Sequence, residues 1–573
     1  MSVKLLCAWG QYPYNAIITL DANTEASMVS AKVATTDLTG GVVWVPQGPG
    51  QPPWPSSTQV AALNLLNQQT ICPARVAILG NSITGFGAAL RNINSYTSWA
   101  ANSAISLSAA VFPQFSDLSG GINAIKWVCT TAGTTGAIEP AWKWSDPVGT
   151  TYTDGTVVWT AQAETTTPFT QWAWGFWHMA QARSGQRARE VCVVHRSGMK
   201  SATIMAYHDR MLATNPDIVF YATMWENDVG NNAVVLATVQ ADFAAWVAAA
   251  DAVRAQGKTV WVADVLPSAS VDSSSAFTGY SAGNGTNAWN WLNRKIREYA
   301  AARRDVVLIP WSQAYLDSNP ATPTYPENTT TFTSSTGTGQ ALKWTDGVHG
   351  GTNAHWRLSG YIVPALNRLP EVAYFSPSLD TDQIVTNPNQ FGTSGTRGAT
   401  IGSGTVPNSL TADAFGGTAG STSVAQVARP DLVTPWTKVT GVAAAAASGD
   451  AISLSYTAAA GLGDFVAGDV CQGFAELKID ANPTLLTIPQ TRVRMHSAAS
   501  SWVYSGSLPT NEQDLAPSIT ADTTLLLKTP PFMFQSGTTG VSVYNRAEWR
   551  GAAAVNASFG RMAMVRLSAK DLV

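Results

Sequence analysis

The sequence predicts an α/β domain built on a parallel sheet, followed by an all-β domain. Short apolar runs alternate with amphipathic stretches through residues 73–372, as expected of parallel strands joined by helices. Polar residues directly follow several of these runs, at the positions where open α/β sheets bind ligands. Beyond residue 374, short alternating segments are separated by Gly, Ser, Asn and Pro, which predicts a β-sandwich or jelly roll.

A length of 573 residues exceeds what one hydrophobic core organises, so several domains are expected. We predict an N-terminal unit with a Pro- and Gly-rich linker at residues 1–72, the α/β domain at 73–372 and the C-terminal β-domain at 374–573. A β-rich insertion at residues 110–166 interrupts the α/β domain. It is rich in Thr, Gly and Trp, which predicts a small antiparallel module with Asp154-Gly155 as a hairpin turn.

The individual elements follow from hydrophobic periodicity and from the turn residues that bound each segment. In the α/β domain, strands are predicted at residues 76–79, 191–194, 217–224, 259–266 and 306–310. Helices are predicted at residues 169–182, 201–213, 233–255 and 287–304. The N-terminal unit is expected to contain a strand at 14–20 and a helix at 24–34. The C-terminal domain is expected to contain strands at residues 451–456, 474–479, 491–495, 524–528 and 562–567.

The composition narrows the range of functions. Charged residues make up only 12% of the chain, the formal net charge is −3, and no long Lys/Arg run occurs, which argues against nucleic-acid binding. No uncharged apolar stretch is long enough to span a membrane, and no secretory signal pattern is present, so we expect synthesis in the cytoplasm and no membrane insertion. The five cysteines lack metal-ligand spacing, and we predict neither a metal nor a cofactor. The 22 tryptophans suit sugar-stacking surfaces, although most are expected in the core.

Two stretches bear the residue types of nucleophilic catalysis. Ser82 comes three residues after the apolar run at residues 76–79, where a strand end would expose its hydroxyl; the alternative is a helix cap. Far downstream, Asp346 stands three positions before His349. An acid at that spacing can hold an imidazole for general-base work.

Two further candidate positions follow predicted strands. Gly198 comes after the second strand and Asn227 after the third. A Ser, a Gly, an Asn and an Asp/His pair, each following a strand in that order, resemble the SGNH (GDSL-type) hydrolase family. The resemblance covers about residues 74–369 without the insertion, and it implies a flavodoxin-like doubly wound sheet with all these loops at one edge.

The resemblance also implies a role for each residue. Ser82 would be the nucleophile, His349 the general base and acid, and Asp346 the group that orients the imidazole. The side chain of Asn227, with the backbone N–H groups of Ser82 and Gly198, would form the oxyanion hole. Neither a metal nor a cofactor takes part in this chemistry.

This sequence departs from the family pattern at three places. Asn81 stands where the family usually has Asp, which we expect to cost little because that Asp is not the catalytic acid. Trp225 stands where Gly is usual, and His195 where Asn is common. The second block is the loosest, so the backbone donor could belong to Met199 or Lys200 in place of Gly198.

Four residues near these blocks have alternative interpretations. Trp225 is a candidate substrate contact that could wall the acyl pocket or simply pack, and His355 is a second candidate contact. Glu226 and Asp228 flank Asn227, but adjacent carboxylates on one loop do not suit the paired acid/base work of glycosidases.

The opening of the chain and the insertion resemble segments of phage tail proteins, and residues 387–391 resemble the opening of carbohydrate-binding jelly rolls. Together these resemblances imply a serine esterase that removes O-acetyl groups from a bacterial surface polysaccharide, located in the virion as part of a phage tail or receptor-binding protein. The expected partners are that polysaccharide, other virion tail proteins and two further copies in a homotrimer. The insertion would contact sugar or would stabilise a trimer.

Two alternatives remain open for the chain as a whole. One is a non-catalytic polysaccharide-binding tail protein on an SGNH scaffold, which would bind the glycan without changing it. The other is a lipase or thioesterase, which would prefer longer acyl chains. For the C-terminal domain, a purely structural role stands beside carbohydrate binding.

Overall fold

The computed structural model describes most of the chain from residue 73 onward and four short strands before it. The described residues are 2–5, 16–19, 34–35, 42–43, 73–88, 91–92, 96–164, 169–173, 175–196, 198–229, 234–266, 284–314, 352–372, 383–415, 422–429, 434–443, 450–458, 462, 465–498, 500–506, 518–519, 521–550 and 553–567. Asp346, His349 and the predicted helix at 24–34 lie outside them.

The first nineteen strands belong to the N-terminal unit, the α/β domain and its insertion. In chain order they are β1 (Ser2–Leu5), β2 (Ala16–Thr19), β3 (Ala34–Thr35), β4 (Val42–Val43), β5 (Ala74–Asn81), β6 (Arg91–Asn92), β7 (Thr97–Ser98), β8 (Ala104–Ile105), β9 (Ala110–Phe112), β10 (Phe115–Asp117), β11 (Ile125–Thr131), β12 (Gly133–Thr134), β13 (Thr151–Asp154), β14 (Val157–Ala163), β15 (Phe169–Trp172), β16 (Ala188–Arg196), β17 (Ile218–Tyr221), β18 (Thr259–Ala263) and β19 (Val306–Ile309).

The remaining strands form the C-terminal region. They are β20 (Ser394–Arg397), β21 (Ser403–Gly404), β22 (Val406–Phe415), β23 (Ser423–Val427), β24 (Trp436–Ala443), β25 (Asp450–Ala458), β26 (Val470–Ile479), β27 (Asn482–His496), β28 (Ser501–Ser505), β29 (Ser518–Ile519), β30 (Thr523–Lys528), β31 (Phe532–Met533), β32 (Gly540–Arg550) and β33 (Ala553–Arg566).

The described helices all lie in the α/β domain. They are α1 (Ser82–Gly87), α2 (Phe176–Arg183), α3 (Ser201–Met205), α4 (His208–Ala213), α5 (Glu226–Val229), α6 (Leu236–Ala255), α7 (Asn284–Ala301) and α8 (Thr352–Leu366), with a 3-10 turn at Trp311–Gln313. In the part of the chain that is described, no helix combines the length and the apolar character needed to cross a bilayer.

The central sheet of the α/β domain has six strands in the order β10-β16-β5-β17-β18-β19. Five of them are parallel, and their spatial order is second, first, third, fourth, fifth, which is the order of flavodoxin-like sheets. The predicted parallel sheet is therefore confirmed in part. The sixth strand, β10, comes from the insertion and pairs antiparallel with β16 at the edge, so the sheet is mixed.

Successive residues of the central strands enter two different cores, because side chains alternate across a sheet. Ile78 and Phe220 pack in one core with residues of α2 and α8. Leu79 and Tyr221 pack in the other with residues of α3, α4, α6 and α7. Helices thus cover both faces, and the carboxyl ends of the parallel strands leave the sheet at one edge.

Two predicted helices differ from the observed elements. The segment at 169–182 begins as strand β15 before α2 starts at Phe176, because residues 169–172 pair in parallel with β28 of the C-terminal region. That long-range pairing is invisible to local periodicity. The predicted helix at 201–213 is observed as two short helices, α3 and α4.

Four strands of the insertion join β7, which precedes the predicted boundary at residue 110, in a five-stranded sheet with the order β13-β14-β11-β9-β7. The predicted hairpin is confirmed: β13 and β14 pair antiparallel around a two-residue turn in which Gly155 has a φ of +62°. A Cβ at this position would lie 2.3 Å from the carbonyl oxygen of Thr134, so the turn requires glycine for both conformation and space.

The tryptophans of the insertion pack inside it. Trp127, Trp142 and Trp159 are each at most 1% exposed and contact one another through tilted and edge-on rings. Asp154 Oδ2 accepts hydrogen bonds from the indole Nε1 of Trp159 at 2.9 Å and of Trp99 at 2.7 Å. These side chains form a core and offer no sugar-stacking surface.

The C-terminal region is built of β-strands, as predicted. Its larger sheet follows the order β20-β22-β25-β32-β27-β28-β15-β6, with β29 on β27. The second sheet follows β21-β23-β24-β33-β26-β30, with β31 on β26. Because β15 and β6 come from the α/β part of the chain, strand pairing continues across the boundary placed by the sequence near residue 373.

A buried ion pair also joins these two parts of the chain. Lys528 Nζ lies 3.2 Å from Glu190 Oε2, and both side chains are less than 10% exposed. The same ammonium donates to the carbonyl of Ala188 at 3.3 Å. Removing one partner of a buried pair leaves the other charge uncompensated, at a cost of about 3–5 kcal/mol.

We therefore expect Lys528→Met to lower the melting temperature by several degrees. A matched control is Lys438→Met, because Lys438 is 37% exposed and forms a surface pair with Asp480 at 3.7 Å. Exposed pairs contribute about 0–1 kcal/mol, so the control should barely move the transition. Thermal unfolding followed by circular dichroism measures both, and equal shifts would contradict a stabilising role for the buried pair.

Candidate active site

Ser82 begins helix α1 at the carboxyl end of the central strand β5. The side chain of Asn81 caps this helix, with Oδ1 accepting the backbone N–H of Ile83 at 2.9 Å. A Cβ at Gly80 would lie 2.0 Å from Thr84 Oγ1, so glycine allows the helix to start immediately after the strand. The sharp strand-to-helix junction leaves the Ser82 side chain only partly buried at the edge of the sheet.

The loop that follows β17 is bonded to this junction. Thr223 Oγ1 lies 2.7 Å from Thr84 Oγ1 and accepts the backbone N–H of Thr84 at 3.2 Å. The backbone N–H of Asn81 donates to the carbonyl of Thr223 at 2.9 Å. The nucleophile candidate is therefore fixed relative to the loop that carries Asn227.

A side-chain pair adds a second connection between the same two loops. Asn81 Nδ2 donates to Glu226 Oε2 at 3.0 Å, and Glu226 is only 5% exposed. Glu226 also accepts the backbone N–H groups of Trp225 at 3.2 Å and Leu266 at 3.3 Å. Burial raises the pKa of Glu226 to about 7, although these hydrogen bonds favour its charged form.

Sequence reasoning missed the part played by Glu226. It treated Asn81 as a tolerated departure from the usual Asp, and it considered Glu226 only as half of an unsuitable acid pair. The structure makes the two residues complementary: an amide donor at position 81 matches a carboxylate acceptor at position 226. The signal in the sequence was the joint presence of the unusual amide and the acid next to Asn227.

The loop after β16, which carries Gly198, is hydrogen-bonded to Asn227 and Asp228. Asn227 Nδ2 donates to the carbonyl of Met199 at 2.7 Å. Asp228 accepts the backbone N–H of Ser201 at 2.8 Å through Oδ2 and its hydroxyl at 3.1 Å through Oδ1. Burial raises the pKa of Asp228 to about 6. Asn227 and Asp228, which are adjacent on α5, thus fix the position of the segment that follows β16.

The amide of Asn227 carries two N–H groups. One is bound to Met199, which fixes the orientation of the amide plane. Among the residues that the structure describes, the second N–H has no acceptor within hydrogen-bonding distance. The bond to Met199 therefore orients the amide of Asn227.

Gly198 is exposed and has a φ of +73°, in the left-handed region that favours glycine. A Cβ there would meet nothing within 4 Å, so conformation and not space explains the residue. Met199 is buried, and its carbonyl serves Asn227.

The two predicted substrate contacts lie in hydrophobic cores. Trp225 is 1% exposed and packs against Phe243 and Trp246. His355, on α8, is 5% exposed and packs on Phe176 with ring centroids 5.7 Å apart. Their burial favours the packing interpretation of Trp225 and gives no support to direct contact of either residue with substrate.

The structure brings together Ser82, Gly198 and Asn227 through bonded loops at one edge of the sheet. The predicted triad partners Asp346 and His349 lie outside the described residues. Within the described ranges, no group of three or more His, Cys, Asp and Glu side chains is placed to bind a metal ion.

Replacing Asn81 by Asp should destabilise the protein by about 1–3 kcal/mol at pH 8, because a second carboxylate would then face Glu226 without a proton between them. Asp keeps the cap to Ile83, so the helix start is unaffected. The double variant Asn81→Asp/Glu226→Gln exchanges donor and acceptor and should recover most of the loss. Chemical denaturation at pH 8 measures the free energy of unfolding of the parent, both single variants and the double variant. If the loss in the double variant equals the sum of the losses in the two single variants, the pairing is contradicted.

Glu226 also makes the stability depend on pH. Its folded-state pKa of about 7 lies above the ordinary 4.5, so between these values the folded protein binds the proton more tightly than the unfolded chain does. The free energy of unfolding therefore falls as pH rises from about 4.5 to 7. In Glu226→Gln this contribution is absent, and the melting temperature should decline less steeply between pH 5 and pH 8.

Calorimetry at four pH values across that window measures the slope. Glu371→Gln is the control, because the Glu371 side chain is 84% exposed. Parallel curves for the parent and Glu226→Gln would show that Glu226 does not titrate in this window. Asp228 remains in both proteins and contributes in the same direction below about pH 6.

The sequence matches no protein-family model and no curated protein. Similar solved structures include an acetyl xylan esterase, 17% identical, which covers 33% of this chain and 90% of its own with a TM-score of 0.25. A GDSL-like lipase from Bacteroides thetaiotaomicron VPI-5482 is 18% identical and covers 31% of this chain and 76% of its own, with a TM-score of 0.23. The enzymatically active domain of tailspike protein 4 from bacteriophage CBA120 is 9% identical and covers 28% of this chain and 20% of its own, with a TM-score of 0.19. Each of these three structures is similar to a third of this chain or less.

Proposed function

We propose that the chain is a serine esterase with the SGNH arrangement on a doubly wound, flavodoxin-like sheet. One observation carries the proposal: the loops bearing Ser82, Gly198 and Asn227 are hydrogen-bonded into one unit at the carboxyl edge of the sheet. A site that must meet a developing negative charge needs donors fixed before the reaction begins.

In the first half of the reaction, Ser82 Oγ attacks the carbonyl carbon of the ester while His349 accepts the hydroxyl proton. Asp346 orients the imidazole and stabilises its charged form. The resulting oxyanion accepts hydrogen bonds from the second N–H of Asn227 and from backbone donors at Ser82 and Gly198. Collapse of the intermediate breaks the bond to the alcohol oxygen, which takes the proton from His349 and leaves.

In the second half, water attacks the acyl-enzyme and gives a proton to His349. The second tetrahedral intermediate uses the same donors. Breaking the bond to Ser82 Oγ releases the carboxylic acid, and the serine oxygen recovers its proton from His349. No external oxidant, reductant or metal is required for the balance of this cycle.

The proposed substrate is an O-acetylated bacterial surface polysaccharide. The resemblance of flanking segments to tail proteins supports a place in a phage tail, where the enzyme would be part of the virion and would contact other tail proteins. We propose a homotrimer on the same basis, and sedimentation analysis of the full chain tests it.

The substrate class is tested by comparing aryl acetate, aryl octanoate and an O-acetylated bacterial polysaccharide. We expect acetate release from the polysaccharide and faster turnover of the acetyl than of the octanoyl ester. Faster turnover of octanoate would favour a lipase or thioesterase. Binding of the polysaccharide with no turnover of any ester would favour a non-catalytic binding protein.

A further inference from the structure

The outer face of the larger C-terminal sheet carries a cluster of arginines. Along β27 and β32, the core-facing residues Val493 and Val543 are fully buried. The intervening positions therefore lie on the opposite face. Strand register places Arg492 beside Tyr544, Arg494 beside Ser542 and Arg546 beside Gln490. Three guanidinium groups thus occupy successive rungs of two neighbouring strands.

These positive charges are only partly compensated. Arg546 pairs with Glu548 at 3.0 Å. Neither Arg492 nor Arg494 forms an ion pair with any residue in the described ranges. The remaining carboxylate on this face, Asp413, lies two strands away from Arg546. In a chain with few charged residues, such a concentration of unpaired arginine is a specific feature.

The guanidinium group of Arg492 is stacked on an aromatic ring and partly buried. Its guanidinium lies over the ring of Tyr544, 4.8 Å from the centroid, and its Nε is buried with no hydrogen-bond acceptor among the described residues. Burial lowers its pKa, and the charges of Arg546 and Arg494 act in the same direction. An anion seated on this face would supply the countercharge that no described residue supplies to Arg492.

A cleft of about 420 Å³ opens beside Arg494. Its lining consists of Arg494, His496, Ser497, Ala498, Ser500, Ser501 and Ser542, and four of these seven residues are serines. Arg494 Nε donates to Ser501 Oγ at 2.9 Å, which orients the guanidinium and leaves its terminal N–H groups for a ligand. Hydroxyl groups that both donate and accept suit the hydroxyl groups of a sugar.

We propose that this arginine face binds an anionic polysaccharide, with a carboxylate or phosphate group against Arg492 and Arg494 and sugar hydroxyls in the serine-lined cleft. This inference rests on the proposed function, which makes a polysaccharide the substrate. It adds that the polysaccharide is acidic and that the C-terminal sheet binds it.

The test measures binding by the full chain, carrying Ser82→Ala to prevent turnover. The probes are polygalacturonate as a carboxylated polymer, a teichoic acid as a phosphate-bearing polymer, and neutral dextran. We expect at least one anionic polymer to bind and dextran not to bind. The probe that binds identifies the anionic group. Equal binding of dextran, or equal binding of double-stranded DNA of the same charge, would overturn the proposal.

Arg494→Gln should weaken that binding at least tenfold, and its exposed side chain can be replaced without disturbing the core. Arg492→Gln is a second variant with the same expected direction. Arg294→Gln is the matched control, because Arg294 is 65% exposed on α7, in the α/β domain. Binding by Arg494→Gln equal to that of its parent would overturn the assignment.

The esterase site is tested separately, by measuring aryl acetate turnover with the full chain that retains Ser82. Turnover without anionic-polymer binding would overturn this inference and leave the proposed esterase intact. Binding without turnover would overturn the proposed esterase and support the arginine face.

Discussion

Replacing Ser82 by alanine is expected to lower kcat/KM for an aryl acetate by roughly 10⁴-fold or more, as the loss of a nucleophile does in serine hydrolases. The fold should persist, because Asn81 caps α1 and Ser82 is only its first residue. Stability should therefore change by about 0.5 kcal/mol or less.

The control for this variant is Ser423→Ala, which removes an exposed hydroxyl from β23. It should leave both turnover and melting temperature unchanged. Initial rates with aryl acetate, measured beside thermal unfolding, separate a lost nucleophile from a lost fold. Retention of more than a tenth of the parent activity by well-folded Ser82→Ala would show that another residue attacks the ester.

Replacing Asn227 by alanine is expected to lower kcat by about 10²–10³ with little change in KM, as seen when one oxyanion donor is removed. The effect has two physical sources in this structure. The variant loses the N–H that would meet the oxyanion, and it loses the bond to the carbonyl of Met199 that fixes the neighbouring loop. Both act on the transition state more than on the bound ester.

Asn290→Ala, on the exposed surface of α7, is the control for Asn227→Ala. Steady-state kinetics give kcat and KM separately, and thermal unfolding measures whether losing the bond to Met199 lowers the stability. A rise in KM at constant kcat would place Asn227 in ground-state binding. A loss of activity that follows loss of structure would make it a structural residue only.

Much of the α/β domain could be predicted from the sequence because its strands are continuous apolar runs bounded by polar turns. The run at residues 76–79 lies within β5, and the prediction that Ser82, Gly198 and Asn227 follow neighbouring strands is consistent with the observed sheet order. Periodicity identifies a buried parallel strand well, since both of its faces are covered.

Other features depend on contacts that local patterns do not encode. Phe169 and its neighbours were expected in a helix, yet they form β15 because β28 offers an edge to pair with. The tryptophans of the insertion were candidates for a sugar surface, yet they are buried in a core, where Asp154 binds Trp159 and also Trp99, which lies 55 residues earlier in the chain. In each case the partner lies far along the chain, and only tertiary structure brings it close.

The complementarity of Asn81 and Glu226 is a third example. A single sequence shows an unusual amide in one block and an acid in another, without showing that they touch. The 3.0 Å hydrogen bond shows that these two residues are in contact and that they join the segment of Ser82 to the segment of Asn227. It also explains why an Asp at position 81 would not suit this chain.

The central claim is that Ser82 is an activated nucleophile, and covalent labelling tests it most directly. The full chain is treated with a fluorophosphonate, which reacts with activated serines, and its peptides are analysed by mass spectrometry. We predict one adduct, on the peptide containing Ser82, that disappears in His349→Ala and appears in parallel with loss of aryl acetate turnover. Turnover that survives complete labelling of Ser82, or an adduct on a different serine that abolishes turnover, would contradict the claim.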